Sequence, residues 1–134
     1  MLRISLRDGE KVVINGAVLC SAGRAEIVVE NSAAILRGRD VMAPKEADTP
    51  AKRLYFACML AYLDPGNLTQ HQSRILSLFE ELVDALEAHE AKADCISFAH
   101  NVACCNFYRA LGDCRALIAY EAQALARFDH VDAA

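Results

Sequence analysis

The sequence lacks a long apolar run. Its longest nearly uninterrupted stretch, Leu54 to Leu63, covers ten residues, against the roughly 20 that a membrane-spanning helix needs. The stretch therefore reads as a buried helix, and no membrane association is expected. The opening residues "MLRISLRDGE" contain neither a hydrophobic signal core nor a cleavage site, so the expectation is a cytoplasmic chain.

Also missing are the spacings that carry chemistry. The six cysteines, Cys20, Cys58, Cys95, Cys104, Cys105 and Cys114, form no C-x-x-C pair, the spacing that zinc sites usually show. In a reducing compartment they read as free thiols that pack like small hydrophobes. His100 and Cys104 stand one helical turn apart, but two further ligands are not evident, so no metal or other cofactor is expected. The same pair is the one local candidate for a Cys/His nucleophile, and it lies mid-helix, away from the helix N-terminus that would lower a thiol pKa. His71, His89 and His130 lie on polar or terminal segments and read as solvated. With no Gly-rich phosphate loop, G-x-S-x-G elbow or H-E-x-x-H present, the chain is not expected to be an enzyme.

What is present is enough for a core: 134 residues, 54% of them apolar. The net charge of −4 is unevenly spread. Residues 1–46 carry seven Lys/Arg and six Asp/Glu, a balance of +1, whereas the remaining 88 residues hold seven and twelve, a balance of −5. The two parts are expected to meet different partners.

In the first part, "LRISLR" alternates strictly, with Leu2, Ile4 and Leu6 on one face and Arg3, Ser5 and Arg7 on the other. That is the pattern of a half-buried strand. Asp8-Gly9 and Asn15-Gly16 are turn signals around "KVVI", and "AVLC", "AEIVVEN" and "AAILRGRDVM" extend the series. Four or five short antiparallel strands are expected before residue 43.

Pro44 and "KEADTP" mark a change of structure. Thr49 suits an N-cap and Pro50 the first helical turn, so a central helix is expected over "PAKRLYFACMLAYLD", stopped by "PGN". A second helix is expected from Thr69 to His89, with Ile75, Phe79, Leu82 and Leu86 on its stripe. A third runs from Asp94 to Leu111, ended by Gly112, and Asp113 caps a fourth through about Arg127 before a frayed "DHVDAA". The segment "NFYRALGDCRALIAYEAQAL" is similar to a tetratricopeptide unit, but one unit stands alone, and an ordinary helical hairpin is the better reading.

Two charged groups stand out. On a strand over "ILRGRD", Arg37 and Arg39 would project together, about 6–7 Å apart. With Arg3 and Arg7 they would share one surface if the first and last strands were neighbours. Such a surface suits phosphate and base edges, because the guanidinium fork makes paired hydrogen bonds. Charges that merely protect strand edges give the same pattern. The second group, Glu80, Glu81, Asp84 and Glu87, lies off the stripe of the second helix, where it is either a solvated face or a partner surface.

"SLRDGEKVVINGAV", "ILRGRDVM", "TPAKRLYFACMLAYLD" and "YEAQAL" resemble, in order over residues 1–125, the FlbT family of flagellin repressors. This resemblance implies post-transcriptional control of flagellum assembly. It implies binding to the 5′ untranslated region of flagellin mRNA, promotion of that mRNA's decay, and a small helical partner, FlaF. More distantly, "MLRISLRDGEKVVI" is similar to the opening of the carbon-storage regulator family CsrA, through Leu2, Arg7, Gly9 and Glu10. That likeness implies a strand-exchanged homodimer on mRNA leaders, with Arg37 at the position of the family's essential arginine.

The resulting expectation is an α+β protein: a CsrA-like antiparallel β-unit over residues 1–46 and a four-helix region over 47–134. One functional reading makes the β-unit an RNA-binding surface through Arg3, Arg7, Arg37 and Arg39. The other makes the helices a scaffold or chaperone that engages FlaF or flagellin through Glu80, Glu81, Asp84 and Glu87.

Overall fold

The computed structural model describes residues 1–86 and 91–133, with side chains to residue 127. The chain is α+β and divides into two compact units, Met1–Met42 and Ala43–Ala134.

The first unit holds five strands: β1 (Leu2–Leu6), β2 (Lys11–Ile14), β3 (Ala17–Cys20), β4 (Ala25–Val29) and β5 (Ile35–Arg37). They form two antiparallel sheets. One pairs β1 with β4, opposing Leu2 to Val29 and Leu6 to Ala25. The other has the order β3-β2-β5 and opposes Val12 to Arg37 and Ile14 to Ile35. Alternation in β1 sends Ile4 and Leu6 into a core with Val12, lined by Ile14, Ile27, Val29 and Ile35. Side chains from both sheets therefore meet in one small core. The β2–β3 turn has positive φ at Asn15 (51°) and Gly16 (85°), the backbone that a two-residue hairpin of matching twist requires.

The structure departs from the sequence reading at "ILRGRD". The strand ends at Arg37, and Gly38–Asp40 turn as a 3₁₀ helix, so Arg37 and Arg39 do not share a face by strand alternation. Nor do the first and last strands pair, since β1 and β5 belong to different sheets.

The second unit holds α1 (Pro50–Leu63), α2 (Leu68–Leu86), α3 (Lys92–Ala103) and α4 (Phe107–Ala133). Thr49 caps α1 as expected, its Oγ1 accepting from the Lys52 N–H at 3.3 Å. Helix α1 packs against both α2 and α4, and α3 packs on α4. Leu54, Ala57, Cys58 and Met59 are buried, but Leu60 is 36% exposed, because two neighbours leave one flank of α1 open. On α2, Ile75 and Leu82 are buried while Phe79 and Leu86 are half-buried.

The third helix is shorter than expected. It ends at residue 103 because Cys105 takes the left-handed conformation (φ 59°). The Cys105 N–H donates to the Val102 carbonyl at 3.0 Å and the Asn106 N–H to the Asn101 carbonyl at 2.7 Å. This pair of bonds is a Schellman closure. Gly112 and Asp113, expected at a helix boundary, lie inside α4. Asp113 instead holds α3, accepting from Ser97 Oγ at 2.8 Å and Asn101 Nδ2 at 2.7 Å. Residues 129–133 of the expected frayed tail continue the backbone of α4. No helix among the described residues is long and apolar enough to cross a membrane.

Candidate nucleic-acid interface

The two sheets of the β-unit leave a groove of about 980 Å³ at one end. Five arginines line it: Arg3, Arg7, Arg24, Arg37 and Arg39, with Glu10 and Glu26 as the acidic residues of the lining. The four arginines singled out in the sequence thus come together, although not by the strand adjacency that would have been the simplest route.

Each arginine has its own placement. Arg3 leaves the outer face of β1 and pairs with Glu26 of β4 at 3.5 Å, both largely exposed. Arg37 stands on the same face of its sheet as Ile35, and its guanidinium crosses to the other sheet. There Nη2 donates to the Ser5 carbonyl at 2.9 Å, and Glu10 Oε1 lies 4.0 Å away. Arg37 is therefore a tie between sheets as well as an exposed groove residue. Arg39 is exposed on the 3₁₀ turn.

Sequence reading missed Arg24. The register that opposes Leu6 to Ala25 sets Arg7 opposite Arg24 one step further along. Gly23, at φ 89°, turns the chain into β4, and its N–H donates to Asp8 Oδ1 at 2.8 Å. Gly9, at φ 79°, donates to the Ser21 carbonyl at 2.8 Å. These bonds clamp the two turns together and fix both arginines at the groove. The missing signal was the β1–β4 pairing, a non-local contact that "SAGR" does not reveal.

The electrostatics follow from this layout. Among the described residues, Arg7, Arg24 and Arg39 have no ion-pair partner. Like charges set opposite each other on paired strands destabilise a sheet. Arg7 opposite Arg24 is thus an arrangement that an anion between them would relieve. Planar guanidinium forks grouped in this way suit phosphate oxygens.

The family model for "Flagellar protein FlbT" matches residues 2–125. The chain belongs to the FlbT family. The probable flagellum biosynthesis repressor protein FlbT of a Caulobacter species is 38% identical over 125 residues, covering 92% of this chain and 95% of its own length. The flagellum biosynthesis repressor protein FlbT of Caulobacter vibrioides is 34% identical over 125 residues, covering 92% of this chain and 89% of its own. That of Bradyrhizobium diazoefficiens, named as probable, is 34% identical over 122 residues, covering 90% and 82%. No solved structure matches the chain. All five groove arginines of this FlbT-family chain fall within the matched segment.

The second group of candidate residues is spread around α2. Glu80, Glu81 and Asp84 are exposed, and Glu81 lines a shallow depression with Arg74 and Ser77. Glu87 lies outside the described residues. Cys104 Sγ sits 3.8 Å from His100 Nε2, as the sequence spacing suggested, and no cluster of three or more potential metal ligands occurs among the described residues.

Proposed function

We propose that this FlbT-family chain represses flagellum biosynthesis by binding the 5′ untranslated region of flagellin mRNA in the arginine groove and promoting the transcript's decay. The observation that supports this most is the convergence of five arginines on one groove, three of them without ion-pair partners among the described residues, in a chain of net charge −4. An acidic protein that gathers its arginines in this way spends stability on mutual repulsion, which a polyanion repays on binding. Arg7, Arg24 and Arg39 act as phosphate clamps. Arg37 shapes the groove and offers its remaining donors to the RNA. The protein acts in the cytoplasm without a cofactor, and the helical unit serves FlaF-like or flagellin partners through the carboxylates of α2.

The test is the half-life of a reporter transcript carrying a flagellin leader, in cells expressing either the wild-type chain or Arg7→Ala/Arg39→Ala. Faster decay with wild type than with the variant is expected. Equal half-lives at equal protein levels would overturn the reading.

A further inference from the structure

Of the five strands among the described residues, β3 alone carries no charged side chain. Arg3, Lys11, Glu26 and Arg37 mark the other four, whereas β3 reads "AVLC". It is also an edge, paired to β2 on one side only. All four of its residues are exposed, Val18 at 66% and Leu19 at 42%. An open edge strand is a template for another strand, and proteins ordinarily blunt it with lysine, proline or a bulge. β3 has none of these, and its register against β2 is continuous.

The ladder fixes which backbone groups face outward. A two-residue turn at Asn15-Gly16 makes Ile14 and Ala17 a hydrogen-bonded pair, and such pairs alternate along a hairpin. Ala17 and Leu19 therefore direct their N–H and C=O groups at β2. The Ser21 N–H continues the series, donating to the Glu10 carbonyl at 3.0 Å. Val18 and Cys20 point theirs to the open side.

This edge fits a copy of itself. A two-fold axis through Leu19 sets Val18 of each copy opposite Cys20 of the other, so that all the outward groups of both residues pair reciprocally. The two Leu19 side chains then meet between those pairs, where cross-strand neighbours stand closest. Charge agrees with this occupant. The strand has no charged side chain to hold a charged peptide or nucleic acid, and residues 1–46 balance at +1, so two copies meet there with little repulsion. The small core of the unit gains as well, because a three-stranded sheet becomes a six-stranded one.

We propose that the chain forms a two-fold homodimer by antiparallel pairing of β3 with β3 of a second copy, in the strand order β5-β2-β3-β3-β2-β5. Each chain keeps its own five strands, unlike the strand-exchanged dimer that the likeness to CsrA implies. β5, which carries Arg37, lies at the far edge of each half. Both arginine grooves stay open, with the two β5 strands roughly 24 Å apart. The pairing does not depend on what those grooves bind.

The test is analytical ultracentrifugation of the full chain, where twice the 14.6 kDa chain mass is expected. Val18→Pro removes an outward N–H and leaves the β2 ladder intact, and Leu19→Lys sets two like charges opposite each other. Each should give the monomer, with circular dichroism confirming the fold. Cross-linking reads the register, in a background of Cys20→Ser, Cys104→Ser and Cys105→Ser. Leu19→Cys should join two chains on mild oxidation, because opposed residues of a non-hydrogen-bonded pair stand about 4.5 Å apart, within disulfide reach. Ala17→Cys should not, since an axis through Leu19 holds the two copies of residue 17 apart. A wild-type chain that stays monomeric would leave the edge to another protein's strand and overturn the assignment. So would a dimer that persists in both Val18→Pro and Leu19→Lys, or cross-linking by Ala17→Cys as readily as by Leu19→Cys.

Discussion

Glu121 of α4 accepts a hydrogen bond from the backbone N–H of Ala51, in the first turn of α1, at 2.9 Å. The two residues are 70 positions apart, and Glu121 is only 5% exposed. A helix N-terminus offers unsatisfied N–H groups and a partial positive charge, and a carboxylate answers both. Glu121→Ala would leave the Ala51 N–H buried without its acceptor. The expected loss is about 1–3 kcal/mol, read as a lower urea midpoint, with Glu121→Gln losing less because it keeps an acceptor oxygen. An unchanged midpoint in Glu121→Ala would show that the bond contributes nothing.

A second prediction separates Arg37 from the other groove arginines. Its bond to the Ser5 carbonyl ties the two sheets together. Arg37→Ala should therefore cost about 1 kcal/mol of stability. Arg7→Ala and Arg39→Ala, which lose no bond, should leave the urea midpoint unchanged or raise it slightly by relieving repulsion. If Arg37→Ala melted like wild type, the tie would be energetically idle.

The cysteines give a third. Cys58 of α1 and Cys114 of α4 are both fully buried. Burial first, then the hydrogen bond and charge of Cys58, push the Cys114 thiol well above its ordinary value, and only the thiolate reacts. Iodoacetamide with peptide mapping should label exposed Cys20, Cys104 and Cys105 in the native protein, and Cys58 and Cys114 only after denaturation. Native labelling of Cys114 at the rate of Cys105 would contradict the packing of α1 on α4.

Local signals in the sequence carried over well. The alternation of Leu2, Ile4 and Leu6, the Asn15-Gly16 turn and the Thr49-Pro50 helix start each depend on neighbouring residues alone, and each appears in the structure. The boundary between α3 and α4 did not, because a cysteine rather than a glycine takes the left-handed position, while Gly112 sits harmlessly in open space within α4. Of the groove, Arg3, Arg7, Arg37 and Arg39 were visible as charged residues on strands or beside them. Arg24, the tie from Arg37 to Ser5, and the Glu121 cap were hidden, since all three depend on partners brought in from distant parts of the chain.

The most direct measurement is the salt dependence of affinity for a flagellin leader transcript, by filter binding. Each phosphate contact on single-stranded RNA contributes a slope of roughly −0.7 in log K against log salt, so clamps at Arg7, Arg24 and Arg39 give about −2. Arg7→Ala/Arg39→Ala should bind more weakly and with a slope shallower by about 1.4. Binding by that variant with wild-type affinity and slope would contradict the claim that this groove holds RNA.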